Sequence, residues 1–198
     1  MIELSQVATD SRLVRADSVF FAIKGGSHDG HDHVNDLLRS GVLACVVEDS
    51  FEGEDPRLIR VRDTREALGW AMSELHGNPS HSMLLVGVTG TSGKTTTTYL
   101  IERILQEAGH RVGVIGTVNF RIGSEVLPST HTTPGSPELQ ALLQKMKDSG
   151  CTAVVMEVSS HALKQHRTAG IAFDCVVFNN LSREHLDFHP DMEDYFES

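Results

Sequence analysis

The chain has 198 residues, of which 39% are hydrophobic and 22% are charged, and its formal net charge is −10 at pH 7. This length suits one large or two small domains, and the negative charge argues against a nucleic-acid partner, because nucleic-acid-binding modules usually carry a basic face. No leader-like segment opens the chain and no apolar run approaches the ~20 residues needed to span a bilayer, which predicts a cytoplasmic protein without a membrane partner.

The first part of the chain alternates strand-like runs with helical patterns. Strands are predicted at Val19 to Ile23 and Val42 to Glu48, with a helix from His33 to Ser40 between them. A further apolar-periodic segment, Ala67 to Leu75, is followed by helix-stopping and turn residues from His76 to Ser80. The alternation indicates the α/β class, and the turn residues place a domain boundary near residue 80.

The second part continues the alternation. Strands are predicted at Met83 to Val88 and Val112 to Ile115, with a helix that ends at Ala108 between them. A helix from Pro137 to Lys147 precedes two apolar runs that we expect to be buried. These runs cover residues 153–158 and 172–178. Strands joined by helices predict a mainly parallel sheet, with ligands at the carboxyl ends of its strands.

Three cysteines, Cys45, Cys151 and Cys175, lie in or beside apolar runs and show no CxxC spacing. An odd number of cysteines without such spacing favours free thiols over a disulfide framework or a zinc site. We predict three buried thiols in a reducing compartment.

The segment LLVGVTGTSGKTTTT, residues 84–98, turns an apolar run into a glycine-bracketed loop. Backbone N–H groups freed by Gly90 and Gly93 can point at phosphate oxygens, Lys94 can reach terminal phosphates, and Thr95 can offer its hydroxyl to Mg²⁺. The strict P-loop pattern requires glycine where Val88 stands, so the general consensus is missed by one residue. A helical apolar pattern follows the loop, formed by Tyr99, Ile101, Ile104 and Leu105. We therefore predict a phosphate-binding loop between a strand and a helix.

Polar residues follow the later strands at the point where each strand ends. Glu157 closes one apolar run, and His185 and Asp187 follow the next. Because the carboxyl ends of parallel strands meet at one edge, a carboxylate there is suited to hold Mg²⁺ or a water beside a P-loop. Glu157 is the first metal candidate and His185 and Asp187 are the next. A helix-capping carboxylate is the alternative for Glu157, and a polar residue on a helix face is the alternative for His185.

The histidines do not predict a zinc site. His28, His31 and His33 lie close together but lack partners at finger-like spacing, so we expect a hydrogen-bonding or solvent-exposed loop. His185 and His189 are four residues apart, but the proline directly after His189 disfavours a regular helix there.

Ser159, Ser160 and His161 do not predict a serine nucleophile. Adjacent residues rarely align a base with a hydroxyl, and the pattern of a nucleophile elbow is missing around them.

Five separated motifs follow one another along the chain: residues 86–98, 131–134, 156–163, 165–167 and 180–189. Together they resemble the Mur ligases, most nearly the MurE type, and the Gly-Thr-x-Gly-Lys-Thr variant of that family accounts for the missing P-loop glycine. The early sequences Asp10-Ser11-Arg12 and Asp29-Gly30-His31-Asp32 resemble the amino-terminal uridine-nucleotide domain of the MurE type.

The resemblance implies a small amino-terminal α/β uridine-binding domain over residues 1–80. Residues 81–198 would be an incomplete P-loop-type central ATP-binding domain, with a mainly parallel sheet and flanking helices, and the carboxyl-terminal domain would be absent. The implied activity is ATP-dependent addition of meso-diaminopimelate or L-lysine to UDP-N-acetylmuramoyl-L-alanyl-D-glutamate in peptidoglycan synthesis. ATP would phosphorylate the D-glutamate side-chain carboxylate, and the amine would then displace phosphate.

The resemblance also implies roles for individual residues. The ATP site would be Gly90, Thr91, Ser92, Gly93, Lys94, Thr95 and Thr96. Mg²⁺ would be held by Thr95, Glu157 and His185, and the catalytic residues would be Lys94, Glu157 and His185. The uridine end of the substrate would contact Ser11, Gly26, Ser27 and His28. The sugar-peptide part would contact His131, Thr132, Thr133, Ser159, Gln165 and Arg167, the last suited to a carboxylate by its forked donors.

Two departures from the family pattern affect these expectations. Pro190 stands where the family commonly has glycine, and the chain ends at Ser198, directly before the position of a lysine that becomes carbamylated and helps to bind Mg²⁺ in the family. We expect the 198-residue chain alone to have no ligase activity. Two alternatives are a relative of folylpolyglutamate or cyanophycin synthetases, and a non-catalytic module that binds nucleotide or UDP-sugar peptide. The uridine-domain motif favours the MurE type over those synthetases.

Overall fold

The computed structural model describes residues 2–26, 28–129 and 131–198. Within them the chain forms a four-stranded sheet and, after residue 80, a six-stranded sheet. This confirms the α/β class, and the domain boundary near residue 80 stays a prediction. None of the helices in the described ranges is long and apolar enough to cross a membrane.

The first sheet is wholly parallel and has the order β1-β2-β3-β4. Its strands are β1 (Val7–Ala8), β2 (Val19–Phe21), β3 (Ala44–Glu48) and β4 (Leu58–Val61), and its helices are α1 (Val34–Ser40) and α2 (Thr64–Leu75). Side chains alternate between the faces of a strand, so Phe20 packs in the cluster with α1, whereas Val19 and Phe21 pack in the cluster with α2. The two helices thus cover opposite faces.

The second sheet has the order β10-β5-β9-β6-β7-β8. The strands β10, β5, β9 and β6 are parallel to one another, and β7 pairs antiparallel with both β6 and β8. The strands are β5 (Leu84–Thr89), β6 (Val112–Ile115), β7 (Asn119–Ile122), β8 (Glu125–Pro128), β9 (Ala153–Glu157) and β10 (Cys175–Phe178). The helices are α3 (Lys94–Glu107), α4 (Ser136–Asp148), α5 (Ser160–Lys164) and α6 (Met192–Glu197). The sequence did not predict the β7–β8 hairpin, whose turn contains Gly123 at φ 61°.

Both faces of the strands β5, β9 and β6 are covered, which explains their nearly continuous apolar sequences. One face packs against α3 through Ile101 and Leu105, and the other contains Leu139, Leu143 and Met146 of α4. The expected burial of the run 172–178 is wrong, because most side chains of β10 are exposed. The helix predicted after the loop is confirmed by α3, although Tyr99 and Ile104 of its apolar pattern are 42% and 66% exposed. The face of α3 that packs on the sheet carries the buried Thr98 and the half-buried Ile101 and Leu105, at the spacing of one helical face.

Two of the three cysteines are buried as predicted, and the third is not. Cys45 and Cys151 are buried, and burial raises the pKa of the Cys45 thiol to about 11. Cys175 is exposed, which corrects the prediction of a buried thiol. It opens β10, an edge strand within the described residues, and the neighbouring Val176 is also 72% exposed.

The two sheet units meet where α2 packs against the segment that contains Ala169 and Gly170. The Ser73 hydroxyl of α2 donates to the Gly170 carbonyl at 2.7 Å. A Cβ atom added to Gly170 would lie 2.7 Å from the Ser73 Cβ and 2.9 Å from the Gly69 carbonyl oxygen. Gly170 also has φ 76°, so glycine serves both the close approach and the backbone conformation.

Replacing Gly170 tests this contact. Gly170→Ala should lower the free energy of unfolding by about 1–2 kcal/mol from backbone strain, and by about 1–3 kcal/mol more from overpacking against α2. Urea denaturation measures the total. Gly150→Ala is the matched control, because Gly150 has φ 80° and a Cβ there would meet nothing within 4 Å. Equal losses for the two variants would contradict a tight contact at Gly170.

Candidate functional site

A glycine-bracketed loop joins the end of β5 to the start of α3. Gly90 has φ 130° and Gly93 has φ 80°, both in the region that favours glycine. A Cβ at Gly90 would also lie 2.9 Å from the Asn180 carbonyl oxygen. The loop therefore requires glycine at both positions, and it leads directly into the amino terminus of a 14-residue helix.

Asn180, which follows β10, holds this loop in place. Its carbonyl accepts from the Thr91 N–H at 3.0 Å, its side-chain oxygen accepts from the Ser92 N–H at 3.0 Å, and its amide donates to the Ser92 carbonyl at 3.1 Å. Two loop amides are thus bound within the protein. The first amides of α3 lack intrahelical acceptors, as at any helix start, and carry the positive end of the helix dipole.

Lys94 is the first residue of α3 and folds back over the loop. Its ammonium donates to the carbonyls of Gly90 at 2.6 Å and Thr91 at 3.0 Å. Burial lowers the pKa of Lys94, while the charges of Glu157 and Glu184 act in the opposite direction. The loop, the helix terminus and this ammonium group together form a site suited to a polyphosphate.

Glu157, the last residue of β9, is a buried carboxylate with 2% exposure. It accepts from the Thr95 hydroxyl at 3.0 Å, from the Thr117 N–H at 3.0 Å and from the Thr117 hydroxyl at 3.1 Å. A Cβ at Gly116 would overlap the carboxylate. The capping alternative for Glu157 is wrong, because Ser159 caps α5 by accepting from the Ala162 N–H.

Thr133 links the Glu157 strand end to Arg167. The Thr133 hydroxyl donates to the Glu157 carbonyl at 2.9 Å and accepts from the Ser159 N–H at 3.1 Å. The Thr133 carbonyl accepts from the Arg167 guanidinium at 2.8 Å, and Gln165 accepts from the same guanidinium. These bonds hold Thr133 and Arg167 in fixed positions next to the end of β9.

His185 lies across from His161, with 5.1 Å between ring centroids, and has φ 59°. Burial lowers the pKa of His161, as do the nearby charges of His185 and His189. His185 thus belongs to a ring cluster near the loop. Asp187, the third metal candidate, is exposed and does not line the cavity at the loop.

A cavity of about 460 Å³ opens beside the phosphate loop. Its lining contains twelve of the predicted site residues: Thr91, Ser92, Gly93, Lys94, Thr95, His131, Thr132, Thr133, Glu157, Ser159, Arg167 and His185. Thr96 is exposed on α3 and lies outside this lining. Gly90 and Gln165 also lie outside it, and Gln165 lines a neighbouring cavity. Most of the residues predicted for phosphate, for metal and for the sugar-peptide part therefore converge on one cavity.

A second cavity, of about 590 Å³, lies in the first sheet unit and contains part of the predicted uridine-end set. Ser11 and His28 line it, Gly26 is exposed and does not, and Ser27 lies outside the described residues. Nearby His31 has the expected hydrogen-bonding role, contacting Asp29 at 2.7 Å and accepting from the Glu48 N–H at 3.1 Å. Within the described ranges, groups of three or more His, Cys, Asp and Glu placed to hold a metal are absent.

A buried histidine attaches α6 to the site. His189 is fully buried, and its ring nitrogens contact Asp194 at 2.8 Å and the Ser160 hydroxyl at 3.0 Å. Its ring stacks on Tyr195, whose hydroxyl lies 2.9 Å from that of Thr91 in the phosphate loop. Ser160 thus forms a hydrogen bond with His189 and not with His161, and His189 connects α5 to α6.

The family model "Mur ligase middle domain" matches residues 88–198, more than half of the chain, and the model "Mur ligase family, catalytic domain" matches residues 3–76. The chain belongs to the Mur ligase family. Among relatives of this Mur ligase, the UDP-N-acetylmuramoyl-L-alanyl-D-glutamate–2,6-diaminopimelate ligase of Geobacter metallireducens is 47% identical over 100% of the chain. The chain spans 39% of the length of that relative.

Solved structures agree with this membership. A structure of UDP-N-acetylmuramoyl-L-alanyl-D-glutamate–2,6-diaminopimelate ligase matches 98% of this Mur ligase chain with a TM-score of 0.79 and 29% identity, and the match covers 39% of the solved chain. The MurF ligase from Thermotoga maritima, solved in complex with ADP, matches 100% of the chain with a TM-score of 0.55 and 26% identity, over 43% of its own length. The recognition of a Mur ligase from separated motifs is confirmed.

Three residues that contact the glycine-bracketed loop or Glu157 were not singled out from the sequence. Thr117 follows β6 and binds the Glu157 carboxylate, Asn180 follows β10 and binds the loop, and Tyr195 contacts Thr91 from α6. The first two stand at carboxyl ends of parallel strands, so the rule that selected Glu157 would also have selected them if applied to uncharged residues. Tyr195 carries no such signal, because its contact depends on how α6 folds back.

The Tyr195–Thr91 contact can be measured by a double-mutant cycle. Tyr195→Phe and Thr91→Val each remove one hydroxyl, and the coupling between them should be about 0.5–1.5 kcal/mol in the free energy of unfolding. Chemical denaturation of the wild type, both single variants and the double variant gives this value. Strictly additive losses would contradict an energetic link between α6 and the phosphate loop.

Proposed function

We propose that this chain is the ATP-binding and UDP-substrate-binding part of a MurE-type ligase, which adds 2,6-diaminopimelate to UDP-N-acetylmuramoyl-L-alanyl-D-glutamate. The observation that carries the proposal is the single cavity in which Lys94 and Glu157 of the phosphate site face His131, Thr132 and Arg167 of the predicted substrate site. The names of the relatives that match the full chain support the choice of substrate and amino acid.

The proposed reaction has two steps. An oxygen of the D-glutamyl side-chain carboxylate attacks the γ-phosphorus of ATP, the bond to the β-phosphate oxygen breaks, and ADP leaves. The amine of diaminopimelate then attacks the acyl carbon, the carbon–oxygen bond to phosphate breaks, phosphate leaves and the amine gives up a proton. In the first step one anion attacks another, so positive charge must be placed around the reacting oxygens.

The residues of this chain have defined tasks in that chemistry. The Lys94 ammonium and the amino terminus of α3 offset the charge of the phosphates. Arg167, fixed by Thr133 and Gln165, is placed to orient an acidic group of the substrate. The loop held by Asn180 keeps these groups in position before ATP binds, which reduces the cost of arranging them.

The donor groups at Glu157 fit Mg²⁺. Thr95 offers a hydroxyl oxygen and Glu157 a carboxylate, the oxygen ligands that this ion prefers, and the hydrogen bonds to Glu157 come from uncharged groups of Thr95 and Thr117. We propose that Thr95, Glu157 and His185 hold Mg²⁺ with ATP. When bound, the ion would neutralise part of the phosphate charge.

Lys94→Ala tests the phosphate site. Removal of the ammonium should weaken binding of ATP with Mg²⁺ at least about tenfold, because a charged hydrogen-bond donor to phosphate is lost. Isothermal titration calorimetry on the 198-residue chain measures this affinity. Lys145→Ala is the matched control, since it removes the same charge from an exposed residue paired with Glu125. Equal ATP affinities of the two variants would contradict the assignment of Lys94.

Glu157→Gln tests the metal site. The substitution keeps the shape of the side chain but removes its charge, so ATP affinity of the variant should respond to added Mg²⁺ by less than about twofold. Titrating ATP at several Mg²⁺ concentrations gives this dependence for variant and wild type. Glu138→Gln removes a carboxylate that lies outside the phosphate-loop cavity and should keep the wild-type Mg²⁺ dependence. Retention of that dependence in Glu157→Gln would show that the ion is held elsewhere.

A further inference from the structure

A third cavity, of about 430 Å³, lies between the two sheet units. It shares Thr9 and Ile23 with the cavity at Ser11, and it shares His131 and Arg167 with the cavity at the phosphate loop. The three cavities are therefore adjoining parts of one groove that leads from the first sheet unit to the phosphate loop.

Two guanidinium groups line this middle cavity, one from each sheet unit. Arg65 comes from the first turn of α2, and Arg167 follows α5. The Asp63 side chain accepts from the Arg65 N–H at 2.8 Å, and the Arg65 guanidinium donates to the Lys24 carbonyl at 2.6 Å. Both groups are thus anchored at the edge of the cavity by hydrogen bonds to their own units.

The two arginines have hydrogen-bond acceptors but, in the described part of the chain, they form no ion pair. The acceptors of their guanidinium groups are the uncharged oxygens of Lys24, Thr133 and Gln165. Burial lowers the pKa of Arg167, and the nearby charge of Arg65 lowers it further. One carboxylate, that of Glu138, also lines the cavity. Two like charges at one cavity favour an anion that contacts both.

We infer that Arg65 binds an anionic group of the UDP-linked substrate together with Arg167, so that the two sheet units hold this group from opposite sides of the groove. The inference rests on the proposed function and adds a binding residue to it. The group has phosphate or carboxylate oxygens, the acceptors that a forked guanidinium binds best. In the proposed substrate it is either the diphosphate or a carboxylate of the dipeptide.

Arg65→Gln tests the inference, with Arg62→Gln as the matched control. Arg62 is exposed, lies outside the cavity lining and carries the same charge. Calorimetric titrations of the full chain use UDP-N-acetylmuramoyl-L-alanyl-D-glutamate, UDP-N-acetylglucosamine and ATP with Mg²⁺ as probes. Arg65→Gln should weaken binding of the dipeptide probe about tenfold or more, from the loss of a charged hydrogen bond, while ATP affinity and the unfolding temperature match those of Arg62→Gln.

The two UDP probes distinguish the two sources of the anion. Weaker binding of both probes by Arg65→Gln assigns Arg65 to the diphosphate, because UDP-N-acetylglucosamine has no carboxylate. Weaker binding of the dipeptide probe alone assigns Arg65 to a carboxylate. Arg65→Lys keeps the charge without the fork and should fall between wild type and Arg65→Gln. If the affinity of Arg65→Gln for the dipeptide probe is within about twofold of that of Arg62→Gln, the inference is overturned but the proposed function is not. A wild-type chain that binds ATP but neither UDP probe would overturn the proposed function as well.

Discussion

The site depends on one buried carboxylate. A charge removed from water is costly unless hydrogen bonds replace its hydration, and the Glu157 carboxylate receives such bonds from Thr95 at the start of α3 and from Thr117 after β6. Gly116 leaves the space that this carboxylate occupies. The Glu157 carboxylate thereby connects the end of β9 to the segment after β6 and to the start of α3, and the remaining site residues lie around it.

The parallel sheet makes that arrangement possible. The strands β10, β5, β9 and β6 run in the same direction, so Asn180, the loop after β5, Glu157 and Thr117 all lie at the carboxyl ends of strands at one edge of the sheet. The close contact of Gly170 with α2 brings the first sheet unit against this assembly, and a groove lined by both units results. A ligand long enough to reach from Ser11 to Lys94 would contact both units at once.

Much of this organisation could be predicted from the sequence, because its signals are local. Turn residues, strand-like runs and glycine placement predicted the α/β class and a glycine-bracketed loop between a strand and a helix, and the rule for strand ends selected Glu157. The signals failed where a contact depends on long-range folding. The contact of Tyr195 with Thr91 joins residues that are 104 positions apart, and the exposure of Cys175 depends on the position of β10 at an edge of the sheet. The two-residue strand β1 and the β7–β8 hairpin are too short for a hydrophobic pattern to identify with ease.

Hydrogen exchange measured by mass spectrometry, on the chain alone and with each ligand, tests the central claim that one groove joins a UDP-substrate site to an ATP site. Exchange reports local opening of backbone hydrogen bonds, so a bound ligand slows it where the ligand contacts the chain. ATP with Mg²⁺ should protect residues 90–97. UDP-N-acetylmuramoyl-L-alanyl-D-glutamate should protect residues 9–12 and 28–33 of the first unit together with residues 131–137 and 165–167 of the second. Protection by the UDP ligand in one unit only would contradict a groove shared by both.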